Sequence, residues 1–329
     1  MYKYCNHCMS AIENDKNVCA NCGRNILENV PAHHLLPGTV LNNKYYVGKA
    51  LGEGGFGITY IGRDINLDIK VAIKEYYPNG YVNRNNTISP QVSNSVTEGR
   101  KEFFTKGRER FLNEARVLAR FSGESGVVDV RDFFEENDTA YIVMEYLDGM
   151  DLKNYLKRNG KLTVEQTINL LMPVMNSLKK IHSQNLIHRD ISPDNIMIVG
   201  NDVKLLDFGS VRSVAAFENK SLSVMLKPGY APEEQYRTKG QQGPWTDIYA
   251  LCATIYKCIT GITPDEASQR VFEDEVKMPS ALGVKISPEM EKAIMKGMSV
   301  YHKDRYQSID DLLNDLQSFR RKLEWEDFK

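Results

Sequence analysis

The sequence predicts an α+β protein in which a small metal-binding module precedes a β-rich part and then a helical part. Three observations lead to this prediction. Two CxxC pairs lie within the first 22 residues, short β-type runs surround a glycine-rich segment after Tyr45, and longer apolar runs suited to helices follow. With 329 residues, 42% of them hydrophobic, the chain can bury a sizeable core.

The composition gives no overall bias toward nucleic acid or anionic membranes. Lys+Arg 42 and Asp+Glu 43 leave a formal net charge of -1, so any phosphate binding must be local. No apolar run typical of a signal peptide follows Met1. The longest apolar-rich run, Ile248 to Ile262, contains Lys257 and is shorter than the roughly 20 residues that span a bilayer. We therefore predict a buried helix there and a cytoplasmic protein without membrane association.

The N-terminal cysteines form CNHC and CANC, separated by ten residues. Four thiolates at this spacing can close the tetrahedral shell of a structural zinc ion, and residues 1–25 resemble a zinc ribbon. Two disulfides are the alternative, but zinc is favoured because a reducing compartment does not preserve disulfides. The predicted zinc ligands are Cys5, Cys8, Cys19 and Cys22, whereas His7 is expected at the surface and Gly23 in a left-handed turn. Zinc ribbons in general bind a protein partner, a nucleic acid or only their own chain, and no choice among these follows from the sequence. Residues 26–44 are expected to form a linker or a strap.

The segment LGEGGFG has GxGxxG spacing, which lets a backbone approach phosphate oxygens. Strand-like residues follow it, which argues against the alternative of a dinucleotide-binding turn that opens a helix. Lys74 ends VAIK on an apolar strand, where its ammonium needs an anionic partner. Glu114, in the amphipathic run ERFLNEARVLARF, supplies a carboxylate. The intervening residues 78–99 predict a mobile loop without regular structure.

Further motifs follow in order: VMEYLDG, HRDISPDN, DFG at Asp207, APE ending at Glu233, and DIYALCAT from Asp247. Together with the glycine loop and VAIK, they resemble the motif set of a eukaryotic-type protein kinase, in the style of bacterial serine/threonine kinases. The resemblance covers residues 45–320. It implies the two-lobed protein-kinase fold, with a β-rich N-lobe at 45–145, a hinge, and a helical C-lobe at 149–320.

The resemblance also implies ATP and Mg²⁺ as ligands and protein serine or threonine hydroxyls as acceptors. Asp190 would act as the base, Lys74 held by Glu114 would contact the phosphates, and Asn195 and Asp207 would bind magnesium. The implied ATP contacts are Leu51, Gly52, Glu53, Gly54, Gly55, Phe56, Gly57, Thr59, Ala72, Lys74, Met144 as gatekeeper, Glu145, Leu147, Asp151 and Met197.

Two positions depart from the family's pattern. Ser192 stands where a lysine usually contacts the γ-phosphate, and counting back from Glu233 places Leu226 in the slot of a threonine that contacts that lysine. The loss of one cation predicts a rate lower by roughly 10² to 10³ unless another, such as Lys227, takes its place. An active but modified kinase is favoured because the base and magnesium residues are present. The alternatives are a nucleotide-sensing pseudokinase scaffold and a small-molecule kinase.

The resemblance implies structural roles for a few further residues. A buried ion pair is expected between Glu233 and Arg305, and Asp247 is expected to hold the backbone of the HRD turn. Arg189 before the base suggests pairing with a phosphorylated activation segment, with Ser221 and Ser223 as the candidate sites. The substrate, the activating signal and the oligomeric state are not predicted.

Overall fold

The computed structural model describes residues 3–12, 17–94, 98–207, 212–213, 226–237 and 239–316. Contacts within the chain define two compact units. The first comprises Met1–Ser122 and Val128–Leu147, and the second comprises Gly123–Val127 and Asp148–Lys329.

The first unit is built on a six-stranded antiparallel sheet with the strand order β3-β4-β5-β6-β10-β9. The strands of this unit are β1 (Lys3–Tyr4), β2 (Ala11–Ile12), β3 (Val40–Leu41), β4 (Tyr45–Gly54), β5 (Gly57–Asp64), β6 (Ile69–Tyr76), β7 (Val82–Asn83), β8 (Ser93–Asn94), β9 (Val130–Glu136) and β10 (Thr139–Glu145), and its helix is α1 (Glu98–Leu118). Alternating burial along β5 and β6 directs one set of side chains into the core. Helix α1 buries Phe104 and Phe111, whose rings lie 5.2 and 5.6 Å from that of Tyr76.

The cysteine module packs against β4 and β5. The Lys49 N–H donates to the Asn6 carbonyl oxygen at 2.9 Å, and Arg63 Nη1 donates to the Met9 carbonyl oxygen at 2.9 Å. The Met9 side chain is fully buried. A Cβ atom at Gly48 would overlap Met9 and lie 2.7 Å from the Asn6 carbonyl oxygen. The close approach of the module to β4 therefore requires glycine at position 48.

The segment predicted as a mobile loop has regular structure in its described part. Strands β7 and β8 pair as a short hairpin. Next to β7, the buried Arg84 forms an ion pair with the fully buried Glu75, which also accepts hydrogen bonds from Tyr60 and Tyr141 at 3.0 and 2.8 Å. The prediction missed this structure because a buried ion pair leaves no periodic signal in a polar sequence.

The predicted linker is also anchored. Arg84 Nη1 donates to the His33 carbonyl oxygen at 3.0 Å, and Asn86 Nδ2 donates to the carbonyl oxygens of Pro31 and His34 at 2.9 and 3.0 Å. Leu35 is buried, and the second half of the segment contributes β3 to the main sheet. Residues 31–36, called the strap below, are therefore fixed against the first unit.

The second unit is mainly helical. Its helices are α2 (Leu152–Asn159), α3 (Val164–Ser183), α4 (Glu233–Tyr236), α5 (Pro244–Thr260), α6 (Ala267–Arg270) and α7 (Pro288–Gly297), and residues 309–316 are helical too. Its short strands are β11 (Met150–Asp151), β12 (Leu186–Ile187), β13 (Ile196–Val199), β14 (Asp202–Leu205) and β15 (Arg212–Ser213). Three 3-10 turns cover Pro193–Asn195, Ser280–Leu282 and His302–Asp304.

The predicted buried helix is α5, the most buried helix of this unit. It starts with Pro244 in the first turn and ends at Gly261, whose φ of 77° closes the helix in the left-handed conformation. Cys252 and Cys258 are fully buried, as expected for core residues. Among the residues that the structure describes, no helix is long and apolar enough to cross a membrane.

Candidate active site

Lys74 and Glu114 form the predicted ion pair in the first unit. Lys74 Nζ lies 3.2 Å from Glu114 Oε1, and the two side chains are 18% and 7% exposed. Strand β6 places the lysine on the sheet, and the buried face of α1 presents the glutamate to it. A lysine this well covered is stable because a carboxylate faces it, and a phosphate group would add a second anionic partner.

The glycine-rich segment is the β4–β5 hairpin. Glu53 pairs with Ile58 and Gly54 with Gly57 in the strand register. Among the described residues, no heavy atom lies within 4 Å of a Cβ placed at Gly52, Gly54 or Gly55, so the backbone there is open to an approaching anion. At Gly57 the situation differs, because a Cβ would lie 2.5 Å from the Glu75 carbonyl oxygen. That glycine is required by strand packing.

The tip of this hairpin is tied to the strap, a feature that the sequence analysis did not anticipate. His33 Nε2 and His34 Nε2 lie 3.0 and 3.1 Å from the same carboxylate oxygen, Glu53 Oε2. The hydrogen bonds from His33 and His34 lower the pKa of Glu53. The paired histidines in AHHLL were a visible signal, but only the fold brings them to Glu53.

The other predicted ATP-contacting residues lie on both units. Ala72 pairs with Ile61 on β5 and with Met144 on β10. The Glu145 N–H donates to the Asp129 carbonyl oxygen at 2.9 Å. The first unit holds Leu51, Gly52, Glu53, Gly54, Gly55, Phe56, Gly57, Thr59, Ala72, Lys74, Met144, Glu145 and Leu147, and the second unit holds Asp151 and Met197, which are paired between β11 and β13.

The loop from His188 to Asn195 is held by the buried carboxylate of Asp247. Its oxygens accept hydrogen bonds from the backbone N–H groups of His188 and Arg189 at 2.8 and 2.7 Å, and from His182 Nε2 at 2.8 Å. Burial pushes the pKa of Asp247 upward, but these donors outweigh it, and the pKa is lowered. The role predicted for Asp247 matches this geometry.

The base and the magnesium candidates meet in the second unit. Asn195 Nδ2 donates to the Asp190 carbonyl oxygen at 2.8 Å, and the Leu206 N–H donates to the Asn195 carbonyl oxygen at 2.8 Å, which brings Asp207 alongside. Asp207 has a φ of 58°, an uncommon backbone conformation for a residue other than glycine. Burial raises the pKa of the Asp190 carboxyl group, and the positive charge of Lys227 opposes that rise.

Lys227 lies next to Asp190, the predicted base. Its Nζ lies 3.1 Å from Asp190 Oδ1 and 2.8 Å from Ser192 Oγ. Ser192 is fully buried, so its hydroxyl is fixed as the hydrogen-bond acceptor of this lysine. The departure at Ser192 therefore leaves Asp190, the predicted base, with a lysine partner from a different segment of the chain.

The four N-terminal cysteines converge on one point. Their Sγ atoms lie within 4.8 Å of one another, Cys5 Sγ to Cys22 Sγ measures 3.7 Å, Cys8 Sγ to Cys19 Sγ measures 3.6 Å, and all four thiols are free. Tetrahedral zinc with bonds of about 2.3 Å to sulfur separates its ligands by ~3.8 Å, so the cluster fits this ion. Gly23 has the predicted left-handed φ of 69°. His7 is no part of the cluster, but its side chain is only 3% exposed, so the expectation of a surface residue was wrong.

Comparisons with known proteins agree with this geometry. The family model described as "Protein kinase domain" matches residues 45–320. The chain belongs to the protein kinase family. It is 30% identical over 303 residues to the serine/threonine-protein kinase PknL of Mycobacterium tuberculosis, covering 89% of this chain and 70% of that protein.

Two further comparisons agree with this family. The chain is 28% identical to the serine/threonine-protein kinase PrkC of Bacillus subtilis, covering 86% of this chain and 42% of that protein. The solved structure titled "PpkA-294 apo form" superimposes with a TM-score of 0.73 at 35% identity, covering 86% of this chain and 99% of the other. The predicted protein-kinase fold and the serine/threonine protein kinase activity class are confirmed, and a noncatalytic scaffold is not favoured.

One structural assignment within the kinase was wrong. Arg305 pairs with Glu234, with Nη1 to Oε1 at 2.8 Å and Nη2 to Oε2 at 3.1 Å, and the side chains are 0% and 1% exposed. Glu233, the predicted partner, instead pairs with Arg237. The doubled glutamate in APEEQY allowed two alignments, and only the packing of α4 decides between them.

The same shift affects the slot assigned to Leu226. Leu226 lies seven residues before Glu233, and Lys227 lies seven residues before Glu234. The structure places Lys227, one residue further along, in contact with Ser192 and Asp190. Phe208 and Gly209 of DFG and the candidate phosphorylation sites Ser221 and Ser223 lie outside the described residues.

Proposed function

We propose that this kinase transfers the γ-phosphoryl group of ATP to serine or threonine hydroxyls of proteins with Asp190 as its base. The observation that carries the proposal is the Asp190 carboxylate, which lies beside a lysine ammonium and is held on a loop whose backbone is fixed by Asp247. Such a carboxylate can orient a substrate hydroxyl and accept its proton.

In the transfer, the acceptor hydroxyl oxygen forms a bond to the γ-phosphorus while the bond from that phosphorus to the β–γ bridging oxygen breaks. The hydroxyl proton passes to Asp190, and ADP leaves with the electron pair. Lys74, held by Glu114, positions the phosphates, and the open backbone of Gly52, Gly54 and Gly55 accommodates them.

The protein kinase domain implies ATP and Mg²⁺. Asn195 and Asp207 offer the hard oxygen ligands that suit this ion, and they lie side by side on adjoining loops. Bound there, magnesium would neutralise charge on the phosphates. The contacts that fix the two residues are made by the chain itself, through Asp190 and Leu206.

The cysteine cluster is proposed as a structural zinc site. Four sulfur ligands at tetrahedral spacing leave no open position for a substrate, so the ion would have no catalytic role. Because the module packs on β4 and β5 through Asn6 and Met9, the zinc would stabilise the sheet that presents the glycine-rich hairpin.

The test uses the purified full-length chain with MgATP labelled at the γ-position and with peptides that are identical except for serine, threonine or tyrosine as the acceptor. We expect transfer to serine or threonine, lost by at least about 10³-fold in Asp190→Asn. Asp194→Asn, on the same loop, is the matched control, since Asp194 forms an exposed ion pair with Lys153. Equal transfer by the wild type and Asp190→Asn would refute the proposal.

A further inference from the structure

We propose that Lys227 is the catalytic cation of this kinase and that Ser192 and Lys227 have exchanged the lysine and the hydroxyl of the usual pair. The inference rests on the proposed phosphoryl transfer and deepens it. Where other family members place a lysine in the catalytic loop and a hydroxyl in the activation segment, this chain has a hydroxyl in the loop and a lysine in the segment.

The register of the activation segment supports the exchange. The buried pair of Arg305 and Glu234 fixes Glu234 as the anchor of the segment's end. Counted from this anchor, the slot opposite the catalytic loop is Lys227, and Leu226 lies one residue before it. Compared with the usual pattern, the catalytic loop has a hydroxyl in place of the lysine, and the activation segment has a lysine in place of the hydroxyl. A hydrogen bond between a lysine and a hydroxyl is therefore retained.

The contacts show that the lysine has the required reach. Its Nζ lies within hydrogen-bonding distance of both Asp190 Oδ1, at 3.1 Å, and Ser192 Oγ, at 2.8 Å. Ser192 is fully buried, whereas the side chains of Lys227 and Asp190 are 29% and 21% exposed. The ammonium is thus held from the buried side by a neutral hydroxyl and remains accessible to an incoming anion.

The backbone fixes the lysine in this position. The Lys227 carbonyl oxygen accepts hydrogen bonds from the N–H groups of Tyr230 and Ala231 at 3.1 and 3.0 Å. Gly229, inside this turn, has a φ of 81°, and a Cβ there would overlap the backbone of Pro264. Glycine at 229 lets the turn pack closely against its neighbour, and the turn directs Lys227 toward Asp190.

Lys227 would act during the transfer itself. Its ammonium would contact the γ-phosphoryl group while the hydroxyl oxygen bonds to phosphorus and ADP departs, which stabilises the negative charge of the transition state. Because the cation belongs to the activation segment, any conformation that withdraws residues 226–231 would remove it from the base.

The exchange is tested by reversing it in the full-length chain. The variants are Lys227→Thr, Ser192→Lys, and the double variant Ser192→Lys/Lys227→Thr, with Lys239→Met as the control at an exposed lysine of the same region. Lys227→Thr should lower kcat by about 10² to 10³. The double variant should regain at least about ten-fold of this loss, and the control should match the wild type.

Two outcomes would overturn the inference: Lys227→Thr with the kcat of the wild type, or a double variant no faster than Lys227→Thr. If the double variant unfolds at lower temperature, Lys227→Arg and Lys227→Met replace it, and equal activity of these two would overturn the charge requirement. An active wild type that depends on Asp190 but not on Lys227 refutes this inference alone. Transfer that is independent of Asp190 refutes the proposed function itself.

Discussion

Replacing Glu234 with glutamine removes one negative charge from a buried ion pair and preserves the size of the side chain. Arg305 donates to both carboxylate oxygens of Glu234, and the two side chains are almost completely buried. The remaining donors of Arg305 point to the backbone carbonyl oxygens of Ser299, Trp245 and Val300. After Glu234→Gln, the guanidinium charge would face only neutral acceptors inside the protein.

Loss of one partner from a buried ion pair costs about 3–5 kcal/mol in free energy of unfolding, because the other charge is left uncompensated. For a unit of this size, that corresponds to a decrease in Tm of about 10 °C. The matched variant is Glu233→Gln, one residue earlier. Glu233 pairs with Arg237, whose side chain is 58% exposed, so solvent screening limits the loss to below about 1 kcal/mol.

The assay is urea unfolding of both variants, followed by circular dichroism and by tryptophan fluorescence, which includes Trp245 beside Arg305. We expect a large shift of the midpoint for Glu234→Gln and a small one for Glu233→Gln. The reverse order would show that Glu233 is the partner of Arg305. It would also remove the register on which the position of Lys227 was counted.

Two further predictions concern the cysteine module and the catalytic loop. Gly48→Ala should force the module away from β4 and lower the free energy of unfolding by about 1–3 kcal/mol. Gly99→Ala is the control and should not lower it, because a Cβ there would meet none of the described atoms outside its own helix and its chain neighbours within 4 Å. Removal of the proposed zinc ion with a chelator should abolish the difference between Gly48→Ala and the wild type. In the folded protein, the pKa of Asp247 is lowered below its ordinary value of 3.8, so the ionised carboxylate stabilises the fold. Its contribution to the free energy of unfolding is complete above roughly pH 5 and is lost as the pH falls through the lowered pKa. Asp247→Asn should therefore be less stable at pH 7, and its stability should fall less between pH 5 and pH 3 than that of the wild type. A parallel loss in both proteins, measured by thermal unfolding across that range, would contradict this account.

The sequence was most informative where chemistry imposes fixed spacing. The sequence predicted that the four cysteines lie together, that Lys74 pairs with Glu114, and that Asp190 and Asn195 share one loop, because binding a metal or phosphate restricts both residue type and interval. The structure brings each of these groups together, and their roles stay predictions. The apolar run of α5 also predicted its burial correctly. Each of these signals lies within a short stretch of sequence, or combines two such stretches that follow each other in the order of the kinase motifs.

The tertiary structure decided which partners such groups meet. A glutamate pair in APEEQY offers two equivalent carboxylates, and only packing chooses Glu234 for Arg305. Arg84 and the strap histidines sit in polar segments without periodicity, yet they reach Glu75 and Glu53 because β6 and the glycine hairpin pass beside them. The sequence by itself determined that this protein has the components of a kinase. The fold decided that a lysine of the activation segment lies beside Asp190. Lys227 and Ser192 are 35 residues apart in the chain, so their contact depends on the tertiary structure.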